Sequence, residues 1–203
     1  ILGGVIAGIF ICGDFDNKII HDAIANGCSR SVVIVSKAVV FFCSIVFILI
    51  PYAIITGIAL GTGSKFNMGS VAMGFLHVIT SDGGKTFSAG DIGKLLLVML
   101  TLIIVYAAQL SICILIAILS KKSVVVIAAY YAISIISGQL RALKNSSKGF
   151  DHIFACTPFG GNYGLLTLNS GLEDISKAIL VSLIFIVVII AVTNFAFRKS
   201  EIK

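Results

Sequence analysis

Four long runs of apolar residues, each free of Asp, Glu, Lys and Arg, dominate the chain: Ala38–Gly63, Leu95–Ser120, Ser123–Leu140 and Ala178–Phe197. A membrane span takes about 20 apolar residues to cross about 30 Å of hydrocarbon, and one charge at its centre costs about 2.5–3.5 kcal/mol. Runs of 18 to 26 residues without a charge therefore predict membrane-spanning elements. Their Ile and Val content would suit strands in water. In lipid an open strand leaves backbone groups unpaired, so helices are expected. The predicted spans are Val32–Leu60, Leu95–Leu119, Ser123–Ser137 and Ala178–Phe197, with Ile1–Gly13 as a partial span. At about 43 Å, Val32–Leu60 must tilt, bend or protrude, and Pro51 predicts a kink. Ser123–Ser137 is short for a span; it either extends to Leu140 or reaches only part way. The fold class is all-α, a polytopic transmembrane helical bundle forming a single domain over residues 1–203.

The connections differ in kind. Ser120-Lys121-Lys122 is a tight turn, whereas 61–94 and 138–177 are long and hold apolar patches. Within the second, Phe150–Gly161 is too short to span and too apolar for a plain linker. A surface-lying or re-entrant segment is expected. Ile1–Gly13 carries no basic lead-in and no small-residue cleavage pattern, so it reads as the tail of a helix that begins before residue 1.

Between the partial span and the first full one lies a polar stretch, residues 14–30. Asp16 is expected to cap a helix start. Ile19, Ile20, Ala23 and Ile24 then share one face, while Lys18, His21, Asp22 and Asn26 face elsewhere. Gly27 is expected to supply a left-handed stop. A helix of about ten residues is too short to hold alone in water. Its apolar stripe must pack on lipid headgroups, on the chain's own spans or on a partner. Arg30 and Lys37 mark where the next span leaves the interface.

Composition agrees with the pattern: 58 % of residues are hydrophobic, 12 % are charged and the mean hydropathy is +1.11. The net charge of +6 is spread over several loops and makes no nucleic-acid patch. Placing 14–30, the Lys121-Lys122 turn and the tail 198–203 on one side gathers eight basic residues, Lys37 included, into short loops. The other side spreads seven over long loops. The positive-inside rule then puts the short loops and the C-terminus in the cytoplasm, and 61–94 and 138–177 outside. The five cysteines and the loop histidines His77 and His152 show no metal-ligand spacing, so no metal site is expected. Gln109 sits inside a span, where it either bonds another helix or faces a transport path. Tyr130 and Tyr131 either line a cavity or pack a dimer seam.

The polar stretch resembles the cytoplasmic loop of ABC-2 type transporter permeases. Asp14, Phe15, Lys18, Ile20, Ile24, Gly27, Ser29 and Arg30 match that pattern, followed by a span carrying Lys37. The ending Phe195–Lys203, a last span running into a short basic terminus, is similar as well. The chain departs from the pattern at Asp14, Ile19 and His21, where the family commonly has Glu, Thr and Arg. The resemblance implies an exporter fold of six spans, of which about four and a half are present here. It implies that 14–30 is a coupling segment, with Asp14, Phe15, Lys18, Ile20, Ile24, Gly27 and Arg30 meeting a separate ATPase subunit. It further implies dimerisation with a second permease copy or a homologous permease, and a plasma-membrane location. ATP and Mg would be bound by the partner, leaving this chain with no cofactor and no catalytic residue. The chain has no phosphate loop: Gly83-Gly84-Lys85-Thr86 lacks the first glycine at the needed distance.

Two other readings stay open. One is a non-transporting immunity or sensor protein that binds a peptide on the outer face. The other is a membrane-embedded lipid-modifying enzyme, disfavoured because the charge-free spans offer no ionisable group at membrane depth.

Overall fold

The computed structural model describes residues 2–63, 74–84, 89–142, 148–160 and 162–199. These are mostly helical, with short turns between the helices and no strand among the described residues. In chain order the helices are α1 (Leu2–Ala7), α2 (Gly13–Asp16), α3 (Ile19–Ala25), α4 (Arg30–Gly61), α5 (Phe75–Asp82), α6 (Ala89–Ser120), α7 (Ser123–Ala142), α8 (Lys148–Ala155) and α9 (Leu172–Lys199). A π-helical turn, Gly8–Cys12, joins α1 to α2, and a 3-10 turn, Asn162–Leu165, precedes α9. Four helices, α4, α6, α7 and α9, are long and apolar enough to cross a membrane. Their outward faces carry Phe47, Val124 and Val187, at 79 %, 77 % and 66 % exposure. Water would not tolerate such a surface over most of a molecule; lipid does.

Each span outruns its charge-free run. α4 begins at Arg30 because Ser29, in extended backbone, accepts a hydrogen bond from the Val32 amide at 3.4 Å. It runs as one helix through Pro51 and stops at Thr62 and left-handed Gly63. α7 reaches Ala142, so the short-span alternative falls away: twenty residues are enough to cross. The turn into α7 is held by Lys121 at φ 54°.

The four spans run alternately, so the bundle has two ends. At one end lie α3, the start of α4, the α6–α7 turn and the last turn of α9. At the other lie α5, α8 and the 3-10 turn. Each end has its own apolar core. Phe41, Ile34, Ile11, Ile114 and Phe197 centre the first; Leu60, Val98, Leu102, Val78 and Leu166 centre the second. α6 runs through both and is the most enclosed span, while α7 is the least.

The long connections are structured where described. α5 lies within 61–94 and buries Phe75 and Val78 in the second core. Its first amide-side neighbour, Gly74, donates from its N–H to the Gly164 carbonyl at 2.7 Å, and Asp82 at its end accepts from the Leu168 amide at 2.9 Å. Residues 64–73 and 85–88, with Lys85 and Thr86, lie outside the described residues, as do Ile1, 143–147, Gly161 and the tail 200–203.

Candidate functional site

The polar stretch folds differently from expectation in two respects. Asp16 caps nothing: it ends α2, and α3 starts at Ile19 after Lys18, which adopts φ 59° without a side-chain cap. The π turn lets the preceding helix run on through Gly13–Asp16, so the start of α3 moves past Asp16. α3 is therefore seven residues rather than about ten. Its end is as expected. Gly27 takes φ 89°, its amide bonds the Ile24 carbonyl, and the Cys28 amide bonds the Ala23 carbonyl, each at 3.0 Å. That pairing closes the helix on its own last carbonyls.

The apolar stripe packs on the chain's own spans. Ile20 is 3 % exposed in the first core, with Ala23 and Ile24 against it. Phe15 is also buried, its ring edge-on to Phe197 of α9 at 6.3 Å. Phe15 and Ile20 thus hold the segment to the bundle and offer a partner little surface. Ile19, counted with the stripe, instead faces out at 47 % exposure; Lys18, Asp22, Ala25, Asn26, Gly27 and Cys28 are exposed with it.

Charged groups fasten the same segment. Asp14 forms an ion pair with Lys37 of α4, whose ammonium also lies 5.9 Å from the Phe10 ring centre. A lysine seven positions into a span needs such a partner, because a lone charge at that depth is costly. Lys121 stands 5.6 Å above the Phe15 ring. Arg30 donates to the carbonyls of Phe197 and Arg198 at 3.3 and 3.2 Å, a cation on the last carbonyls of α9. Its guanidinium also lies 6.0 Å from the Phe197 ring, and Ser31 donates to Asn194 Oδ1 at 3.0 Å. α3 follows α2, which Asp14 and Phe15 tie to α4 and α9, while Arg30 ties α4 to α9; α3 itself seats Ile20 in the first core and leaves its outer face open.

Deeper in the bundle, the π turn is pinned where Ser123 Oγ donates to the Gly8 carbonyl at 2.8 Å. Above it, between the two cores, lies a cavity of about 230 Å³. Tyr52 of α4, Tyr106 of α6 and Tyr130 of α7 line it, with Ile48, Leu49 and Leu110. A second cavity of about 160 Å³ shares Leu49, Tyr52 and Tyr106 and runs toward Phe75 and Leu76 of α5. Gly74 lets α5 come this close: a Cβ there would fall 1.9 Å from the Tyr106 hydroxyl, and its φ of +61° disfavours any side chain.

Of the residues singled out for a path, Tyr130 lines the cavity. Tyr131, its neighbour, points outward at 52 % exposure. Gln109 donates through Nε2 to the Pro158 carbonyl at 2.9 Å, so its amide anchors a loop. That loop, residues 156–160 after α8, is part of the predicted Phe150–Gly161 segment and enters the bundle: Phe159 meets Phe185, near the middle of α9, at 6.3 Å between rings. Buried Pro158 and Gly160 keep this irregular backbone away from lipid. Tyr52 and Tyr106 were not singled out by sequence; their signal was a tyrosine inside a charge-free run.

No group of three or more potential metal ligands occurs among the described residues. No protein-family model, curated protein or solved structure matches the chain.

Proposed function

We propose that this chain is the permease subunit of an ATP-driven exporter of the ABC-2 type, in the plasma membrane with its C-terminus in the cytoplasm. In this reading a separate ATPase subunit, which binds ATP and Mg, docks on the outer face of α3. The chain pairs with a second permease copy, and the two halves alternate between inward-facing and outward-facing states. The observation that carries the reading is the mounting of α3. α2 is tied to α4 by Asp14–Lys37 and to α9 by Phe15–Phe197, and it carries the seven-residue α3, with Ile19 and Asp22 exposed, between exposed Lys18 and Asn26.

A load applied to such a rod reaches two spans at once. Arg30 extends the tie, because a shift of the α4 start must carry the α9 carbonyls or break their bonds. The matches at Asp14, Phe15, Lys18, Ile20, Ile24, Gly27, Ser29 and Arg30 support the same reading. Phe15 and Ile20 act in it as the mount, and the exposed residues as the contact.

The test is purification from native membranes in mild detergent, followed by ATP hydrolysis and photolabelling with azido-ATP. The reading expects a labelled second subunit that is lost with Ile19→Asp combined with Asp22→Lys, both on the exposed face. Photolabelling that is absent, or unchanged by that double variant, contradicts it.

A further inference from the structure

We propose that the tyrosine-lined cavity between the two cores is a binding site for a neutral one- or two-ring aromatic molecule carrying a hydroxyl group. The inference rests on the cavity alone and holds whether or not an ATPase docks on α3.

Size sets the first limit. A cavity of about 150 Å³ suffices for benzene, so about 230 Å³ admits a fused pair of rings but no peptide. Charge sets the second. No lining residue is ionised at neutral pH, so a charged ligand would shed its hydration without a counter-charge. Ring faces set the third: tyrosines from three different helices converge, and aromatic ligands gain from offset or edge contacts with them.

The hydroxyl requirement comes from hydrogen bonding. Among the described residues no hydrogen bond involves the hydroxyl of Tyr52 or Tyr130. Tyr52 is 46 % exposed, but Tyr130 is half-buried in the apolar bundle, where a ligand hydroxyl that pairs with its own recovers part of the cost of an unpaired one. The adjoining cavity of about 160 Å³, sharing Tyr52 and Tyr106, gives such a molecule a way toward α5.

The probe is β-naphthol, with naphthalene and naphthalenesulfonate as controls. The chain has no Trp, and three of its five tyrosines line the cavity, so tyrosine emission from the full chain in lipid vesicles reads the site. β-Naphthol is expected to quench tyrosine emission saturably. Tyr130→Phe, which keeps the ring and its shape, should weaken β-naphthol by about tenfold and leave naphthalene unchanged. Ile48→Phe should lower both by filling the space, and naphthalenesulfonate should not saturate. Quenching that rises linearly with every probe and is identical in Tyr130→Phe means partition into lipid only, and overturns the site. Saturable binding that ignores the Tyr130 hydroxyl and admits naphthalene equally overturns the stated ligand class.

Discussion

Arg30 at the first turn of α4 and Phe197 at the last turn of α9 are joined twice, by a 3.3 Å bond from the guanidinium to the Phe197 carbonyl and by the cation over its ring at 6.0 Å. The final carbonyls of a helix have no intrahelical partners, so a cation there both completes hydrogen bonding and opposes the helix dipole. Replacing Arg30 by Gln keeps a donor but removes the charge and the ring contact. Arg30→Gln is expected to lower stability by about 1 kcal/mol, read as a drop in the detergent melting temperature. In a Phe197→Leu background the drop should be smaller by the ring contact alone, because the Phe197 and Arg198 carbonyls that accept from Arg30 remain.

The loop that enters the bundle depends on two small details. A Cβ on Gly160 would fall 1.9 Å from the Phe154 carbonyl oxygen, and that atom belongs to the backbone and cannot step aside. Gly160→Ala is therefore expected to open the loop, at a cost of about 2 kcal/mol or more. Gln109→Leu leaves the Pro158 carbonyl without its donor and should cost about 1–3 kcal/mol. Limited proteolysis between α8 and α9 reads both: cleavage should rise severalfold in each variant.

The two ends of the bundle should lie on opposite sides of the membrane. Cys28 is exposed beside α3, and Glu173, with its side chain 90 % exposed, begins α9 at the far end. With Glu173→Cys in a Cys156→Ser background, since Cys156 is itself exposed, an impermeant maleimide applied to intact cells should label position 173 and spare Cys28 until the cells are opened. Losing the Glu173–Lys177 pair costs little, since exposed pairs of this spacing contribute about 0.3–0.5 kcal/mol. Labelling of Cys28 in intact cells would reverse the orientation.

What sequence could and could not reveal follows from which forces are local. The four spans are legible because lipid disfavours charge along their central stretches, leaving long charge-free runs. Gly27 was legible because a left-handed stop is set by one residue. The direction of the Ile20 face was not: periodicity shows that a stripe exists but not what covers it, and here the chain's own core does. Asp16 does not cap α3 because the chain is still helical there: α2 follows the π turn directly and ends at Asp16. For α7 the sequence leaves open an end at Ser137 or an extension to Leu140, and the helix runs on to Ala142. Tyr130 and Tyr131 are adjacent and alike in sequence; only the packing separates the one at the cavity from the one facing out. The cavity itself needs Tyr52 and Tyr106 from two other helices, a convergence no single segment records.

The exposed face of α3 is where the transporter reading meets a partner. Photo-crosslinking from a benzophenone placed at Ile19 or Asp22, in native membranes, tests it most directly. The account predicts an adduct with a phosphate-loop ATPase subunit, strengthened or weakened by ATP, and no such adduct from Val187, exposed on the opposite reach of α9. Crosslinks from both α3 positions only to lipid or to this chain itself would contradict it.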